Sequence, residues 1–308
     1  MTISTARLKT FFTEPVTPDI GLDLSRTRLA GLRYSRREKR VAAHVILPVA
    51  PGALEPSFDG KNVLDAAALE RPLREAKARL GPDDSPVALL IPETCVRLHL
   101  LTFDALPGSP VEREEVIRWR LGKLAPFKPD EMRLAYDVLK ADGQTRVVVA
   151  LARRDVVLTY EQLFGRLGID VRRIGVPGLY LPGLVRMDKP GLALVINFDE
   201  DYVSLIAVLD GDISLYRMKP FHAAAADSGA RSTQILHEVE TTMHVLEDRE
   251  KKAIAAIWVR TVGAEGDALT AALREKWPST RIESLSSPLA LNARDQNILA
   301  PLIGQMLR

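Results

Sequence analysis

Residues Asp19 to Arg33 read Asp-Ile-Gly-Leu-Asp-Leu-Ser-Arg-Thr-Arg-Leu-Ala-Gly-Leu-Arg. An apolar run carries Asp23 at its end, a polar turn follows, and alternating apolar residues resume at Leu29. This is a strand, a tight turn and a second strand. The same construction returns from Leu192 to Val208, Leu-Ala-Leu-Val-Ile-Asn-Phe-Asp-Glu-Asp-Tyr-Val-Ser-Leu-Ile-Ala-Val. A third strand follows each pair, from Arg40 to Leu47 and, after Gly211, from Ile213 to Met218. Two like meanders imply two copies of one folding unit. A chain of 308 residues is also long for one core and suits two domains.

The totals narrow the class. With 46% hydrophobic and 27% charged residues the chain is of ordinary globular composition. Lys plus Arg (42) nearly cancels Asp plus Glu (40), and a net charge of +2 makes no general case for nucleic acid. No apolar run reaches the roughly 18 residues a membrane-spanning helix needs. The N-terminus lacks the apolar core of an export signal. The single cysteine, Cys95, excludes an internal disulfide and fits a reducing compartment. Beside Val96 and Leu98 it reads as an inert thiol on a strand.

Taken in order, residues 1–17 form an N-terminal segment set off by Pro15 and Pro18. The first half covers residues 18–93, rejoined by 172–190. Its helical region, Val63 to Leu80, contains Pro72, which fits the first turn of a helix and predicts a kink or two helices. Val87 to Ile91 reads as a buried strand. Residues 94–171 read as an inserted α+β module of order strand–helix–strand–strand–helix–strand. Its first helix, Val111 to Leu124, has Glu112, Glu114 and Glu115 at the positive end of the helix dipole. Val116, Ile117, Arg120, Leu121 and Leu124 form a mostly apolar face, and Pro126 ends the helix. Asp155 to Leu167 is the module's second helix. The second half, 191–308, carries the second meander, a loose connection at Ala223 to Ala230, and a helix with the stripe Ile235, Val239, Met243, Leu246. Strand, helix, strand and a closing helix, Gln296 to Leu307, complete it.

Two meander-plus-helix halves with a module inserted in the first are the plan of the actin-like fold. Several stretches narrow the match. Leu8-Lys-Thr-Phe-Phe before Ile20-Gly-Leu-Asp-Leu-Ser, Glu114-Glu-Val-Ile-Arg-Trp-Arg leading to Ala125-Pro-Phe-Lys-Pro-Asp-Glu-Met-Arg-Leu-Ala-Tyr-Asp-Val-Leu139, Val147 to Val157, and Ile298-Leu-Ala-Pro-Leu-Ile-Gly304 occur in an order that resembles the type IV pilus assembly protein PilM family. The resemblance covers nearly the whole chain. It implies an α/β, actin-like (duplicated, ribonuclease H-like) two-domain fold, with the α+β insert in the first half and a reduced subdomain between Phe221 and Arg231. It also implies a cytoplasmic scaffold or ring peripheral to the inner membrane, touching the membrane only through partners. The partner it implies is the cytoplasmic tail of a PilN-like protein, held between core and insert, with pilus assembly ATPases as further partners. The insert helix and the Pro126-Phe127 turn are the candidate groove wall, with Trp119, Leu121, Pro126, Phe127 and Tyr136 as candidate peptide contacts. For Trp119 alone, core and interface anchor both remain open, core being the expectation.

The family binds ATP with magnesium between the halves, on two turns whose glycines let backbone N–H groups approach phosphate. Here Asp23 is kept, but Ser25 stands where the family has glycine, followed by Arg26, Thr27 and Arg28. At the second turn Asn197 takes the place of an aspartate and Asp199 that of a glycine, before Glu200 and Asp201. Three adjacent carboxylates repel a polyphosphate at close range. The adenosine-side turn, Arg260 to Gly266, keeps one displaced glycine, Gly263. The resemblance with these departures leads to a weakened or absent ATP site and a non-catalytic adaptor. The alternatives are a working actin-like ATPase or sugar-kinase-like enzyme, and a filament-forming cytoskeletal protein.

Other constellations are weak. His237 and His244 stand two turns apart on a helix, about 10 Å by rise, too far for one zinc. Gly178 to Gly183 has P-loop glycine spacing, but Leu184-Val185 follow where Lys-Ser/Thr is needed. His44 and His99 lie in strand-like runs and read as packed or edge positions.

Overall fold

The structure is a computed structural model describing residues 17–82, 84–141, 144–221, 228–263, 265–287, 289 and 291–307. The N-terminal segment, apart from Thr17, therefore lies outside the described residues.

Two five-stranded sheets carry the fold. The first holds β1 (Ile20–Leu24), β2 (Arg28–Ser35), β3 (Arg40–Pro48), β4 (Val87–Leu90) and β8 (Val171–Gly175), in the order β3-β2-β1-β4-β8. The second holds β9 (Leu192–Phe198), β10 (Tyr202–Leu209), β11 (Asp212–Pro220), β12 (Ile254–Thr261) and β13 (Arg281–Ser284), in the order β11-β10-β9-β12-β13. In each, an antiparallel meander continues into two parallel strands. The expected duplication is thus present strand for strand. The central strands are buried along their whole length, as continuous apolar runs require.

Strand alternation sorts each sheet into two faces. On β1, Ile20, Leu22 and Leu24 join the outer core of the first half. It is covered by helix α1 (Ala66–Leu80), whose Leu69, Leu73, Ala76 and Leu80 face inward. On β9, Leu192, Leu194, Ile196 and Phe198 join the outer core of the second half. There they meet Ile235, Val239, Met243 and Leu246 of helix α4 (Ser228–Glu250), the expected stripe, and Leu269 and Leu273 of α5 (Gly266–Lys276). The inner faces share a third core, in which Ala30 and Leu32 of β2 meet Ala193 and Val195 of β9 across helix α6 (Ala293–Met306). From Ile298 to Met306 every residue of α6 is buried, because it is sandwiched between the sheets.

The insert is a three-stranded sheet, β5 (Arg97–Phe103), β6 (Met132–Ala141) and β7 (Gln144–Arg153) in the order β5-β7-β6, with α2 (Pro110–Gly122) on one face. Ile117 and Leu121 of α2 meet Leu101, Val147, Val149 and Leu151 there. The other face turns to the second half, bringing Val148 into the inner core.

Several expectations need correction. Helix α3 (Arg154–Arg166) buries Val156, Val157, Tyr160, Leu163 and Phe164 in the outer core of the first half, and β8 completes that half's sheet. The compact insert therefore ends with β7, well before residue 171. Helix α1 runs unbroken through Pro72 from its N-cap Asp65, whose side chain accepts from the Ala68 N–H. Cys95 ends a single 3-10 turn, Glu93–Cys95, rather than sitting in a strand. Leu124 lies beyond the end of α2 and is exposed, as is Arg120, so the buried stripe of α2 is narrower than the sequence pattern. The connection between β11 and α4 is short, as the reduced subdomain requires, and its residues 222–227 lie outside the described residues.

Candidate functional site

Alternation that sends Leu22 and Leu24 outward sends Asp23 inward, and Asn197 follows the same rule on β9. Arg28 begins β2, Arg260 sits near the end of β12 opposite Asn197, and Tyr202 and Ser204 lie on the inner face of β10. These residues converge where the turn Ser25–Thr27 of the first sheet faces the turn Asp199–Asp201 of the second.

The two turns are joined directly. Arg28 Nη2 donates to both carboxylate oxygens of Asp199, at 3.0 and 2.9 Å. Arg260 Nη1 reaches the same carboxylate at 2.9 Å and also donates to Asn197 Oδ1. Arg28, Asp199 and Arg260 are all buried. Towards solvent, Arg26 pairs with Asp201 at 2.6 Å, Arg28 Nη1 with Glu200 at 3.4 Å, and the Thr27 hydroxyl donates to Glu200. Each of the three adjacent carboxylates thus meets an arginine, Arg28 serving both Asp199 and Glu200.

A second set of contacts crosses the cleft from Glu93, in the 3-10 turn after β4. Its carboxylate accepts from Asn197 Nδ2 at 2.9 Å, from the Tyr202 hydroxyl at 3.4 Å and from the Tyr216 hydroxyl. Gly178 faces it so closely that a Cβ there would fall 2.8 Å from Glu93 Oε1.

Burial and charge set the protonation states. Burial pushes the Asp23 carboxyl up to about 6; Arg28 and Arg260 oppose the rise and Asp199 adds to it. Asp23 Oδ2 has no hydrogen-bond partner among the described residues. Burial also favours a neutral Asp199, but Arg28 and Arg260 overcome it and hold that carboxyl well below the usual range. Glu93 is shifted up by burial, against its hydroxyl donors.

Four backbone donors at the two turns are engaged within the turns themselves. Ser25 N–H donates to the Arg28 carbonyl at 2.9 Å, and Arg28 N–H to Ser25 Oγ at 3.2 Å. Asp199 N–H donates to the Tyr202 carbonyl at 3.0 Å, and Glu200 N–H to Asp199 Oδ1 at 2.9 Å.

Of the nucleotide-side candidates, Asp23, Ser25, Arg26, Thr27, Arg28, Asn197 and Asp199 gather at this cleft. Gly263 lies in the loop beyond β12, and the structure gives it no contact with the network. Glu93, Tyr202, Tyr216 and the buried role of Arg260 were not singled out from sequence. Alternation along Ala256-Ile-Trp-Val-Arg260 was the available signal for Arg260.

The insert candidates are dispersed. Trp119 is 64% exposed with Lys123 Nζ 4.2 Å from its ring centroid, so it is a surface residue and not core. Leu121 is 0% exposed inside the insert core and cannot present its side chain to a peptide. Phe127 packs on Phe58 of the first half, centroids 5.3 Å apart, with Arg97 over the same Phe58 ring. That contact pins the Pro126-Phe127 turn to the core. Pro126 is exposed, and Tyr136 is half-buried with its hydroxyl on the Pro110 carbonyl.

His237 and His244 are exposed, and no metal-binding cluster occurs among the described residues. His44 meets Asp295 at 3.2 Å. No helix among the described residues is long and apolar enough to cross a membrane.

By sequence, no family model and no curated protein matches the chain. Solved structures do. A chain of the PilM–PilN type IV pilus biogenesis complex is 18% identical with a TM-score of 0.73, over 95% of this chain and 97% of that one. A Bacteroides thetaiotaomicron protein with an actin-like ATPase fold is 10% identical with a TM-score of 0.56, over 98% and 99%. The cytoplasmic domain of EpsL, an inner-membrane component of the type II secretion system of Vibrio cholerae, is 14% identical with a TM-score of 0.50, over 92% and 94%. At these identities the likeness speaks to fold, and the chain has the actin-like fold in the form seen in the PilM–PilN complex.

Proposed function

We propose that the chain is a non-catalytic adaptor of a type IV pilus or related type II secretion assembly complex. It works on the cytoplasmic side of the inner membrane and binds the extended tail of a PilN-like membrane protein. The observation that carries this reading is the extent of the likeness to the PilM–PilN complex. The uncovered 5% of this chain is too little to contain the insert, so core and insert correspond together.

The cleft favours binding over catalysis. ATP with magnesium would need free backbone donors and parted turns. Here the N–H groups of Ser25, Arg28, Asp199 and Glu200 are engaged, and Arg28 and Asp199 join the turns. These residues do not fit a polyphosphate. The tail is recognised as an extended peptide with side-chain pockets fixing its register. The exposed surface of α2 around Trp119 offers the anchor, since tryptophan is enriched among residues that dominate binding energy. Pro126 and the accessible parts of Phe127 and Tyr136 extend that surface, while Leu121 supports it from beneath.

The test is titration of the full chain with the cytoplasmic tail of the membrane protein encoded beside it. Saturable binding that Trp119→Ala weakens by about tenfold or more supports the reading. Absence of binding, together with micromolar ATP–magnesium affinity, would replace it with the ATPase.

A further inference from the structure

Asp199 sits on a turn of the second half, yet half of the hydrogen bonds to its carboxylate come from the first. Arg28 contributes two bonds from across the cleft, and Arg260 a third from the neighbouring strand. A carboxylate shared by two guanidiniums, away from water, has the charge and donor arrangement of a bound oxyanion. The cleft holds five acidic groups, Asp23, Glu93, Asp199, Glu200 and Asp201, around three arginines, Arg26, Arg28 and Arg260. It supplies its own anions.

We propose that Asp199 is a built-in anion that bolts the two halves together where the resemblance places a nucleotide's phosphates, so that closure is permanent and needs no ligand. The proposal rests on the reading of the cleft as lacking a nucleotide; it does not depend on the identity of the partner tail.

A separate set of contacts supports it. Glu93 projects from the first half into a socket formed by Asn197, Tyr202 and Tyr216 of the second. Asn197 connects the two bolts, donating from Nδ2 to Glu93 and accepting at Oδ1 from Arg260. An aspartate at 197 could not make the first of these bonds. The replacement of acid by amide and the placing of a carboxylate at 199 are therefore one device. The hairpin bonds of Ser25, Arg28, Asp199 and Glu200 hold both turns in the shape the bolt requires.

The experiment compares thermal unfolding of the full-length wild type, Asp199→Ala, Asp199→Asn and Arg28→Ala/Asp199→Ala. Each is melted with and without millimolar sodium pyrophosphate at ionic strength matched with potassium chloride. Small-angle scattering of each state reports the separation of the halves. The wild type should melt at one temperature regardless of pyrophosphate. Asp199→Ala should melt about 5–10 °C lower, because two buried guanidiniums lose their counterion, and its radius of gyration should rise. Pyrophosphate should saturably restore at least half of that loss in Asp199→Ala and none of it in the double variant, which lacks one jaw of the grip. Asp199→Asn keeps the volume and should show the same loss without rescue, because its amide fills the space the anion needs.

Three results overturn the proposal. One is an Asp199→Asn variant that melts and scatters like the wild type. Another is a loss of stability in Asp199→Ala that pyrophosphate does not rescue, including failure of that variant to fold in its presence. The third is pyrophosphate stabilisation of the wild type, which would also remove the reading of the cleft. The first two leave that reading, and the tail-binding titration, intact.

Discussion

Gly304 of α6 lies against the backbone of Tyr180: a Cβ on Gly304 would stand 2.2 Å from the Tyr180 carbonyl oxygen. The close approach lets α6 sink between the sheets, where Tyr180 and Leu181 join the inner core. The obstructing atom is backbone and cannot swing aside. Gly304→Ala should therefore cost about 2–3 kcal/mol through forced displacement, although alanine favours helix. Urea unfolding measures it, and an unchanged midpoint would count against so tight a contact.

Asn197→Asp is nearly isosteric and should still destabilise. It replaces the donor to Glu93 with a second carboxylate 2.9 Å away, in a buried site. The lost bond and the facing carboxylates outweigh the added charge pairing with Arg260, at a cost of about 1–3 kcal/mol. The loss should shrink at acid pH, where Glu93, already shifted up by burial, takes a proton and can donate. Unfolding at pH 5 and pH 8 tests both statements.

Asp23 should make the protein less stable as pH rises. Its folded pKa of about 6 lies above the unfolded 3.8, so between them the folded state holds more protons. Stability from this group is complete below about pH 4 and is lost as pH rises through about 6. Asp23→Asn removes the effect. Its stability relative to the wild type should grow across that window by on the order of 2–3 kcal/mol and level off above it. A flat difference curve would mean that Asp23 is not desolvated.

Trp119 and Leu121 are near neighbours on α2 with opposite roles. Leu121→Ala should cost about 2–5 kcal/mol, since it empties a space in the insert core. Trp119→Ala should change stability by no more than about 0.5 kcal/mol while weakening tail binding. The pair, measured by chemical denaturation and titration, separates packing from recognition.

Cys95 should stay unmodified by thiol reagents until the chain unfolds. Burial pushes its thiol up to about 12, and Sγ lies 2.9 Å from Asn62 Oδ1. Reaction with Ellman's reagent in native buffer, at the rate of a free thiol, would contradict this placement.

The duplicated fold was legible because it is written in local patterns. Central strands are continuous apolar runs, α4 carries a stripe at helical spacing, and both meanders share one order. The cleft was half legible. Alternation points Asp23, Arg28, Asn197 and Arg260 to one face, and the turn residues stand out by type. The pairing of Arg28 with Asp199, and of Glu93 with Asn197, joins residues far apart in sequence and belongs to tertiary structure. The boundary of the insert was misplaced for the same reason. The amphipathic pattern of α3 says that it packs, but not against which sheet. Pro72 shows the converse, a local rule overridden because Leu69, Leu73, Ala76 and Leu80 gain more from one continuous helix.

The burial of α6 sets an order of events during synthesis. Strands β1 to β8 and helices α1 and α3 can close the outer core of the first half as they leave the ribosome. The inner faces of both sheets lack the part of their cover that α6 supplies until residues 298–306 have been made. Docking of the halves is therefore a step that waits for α6. Until then the nascent protein presents two greasy sheet faces, which is the interval in which a chaperone would find it.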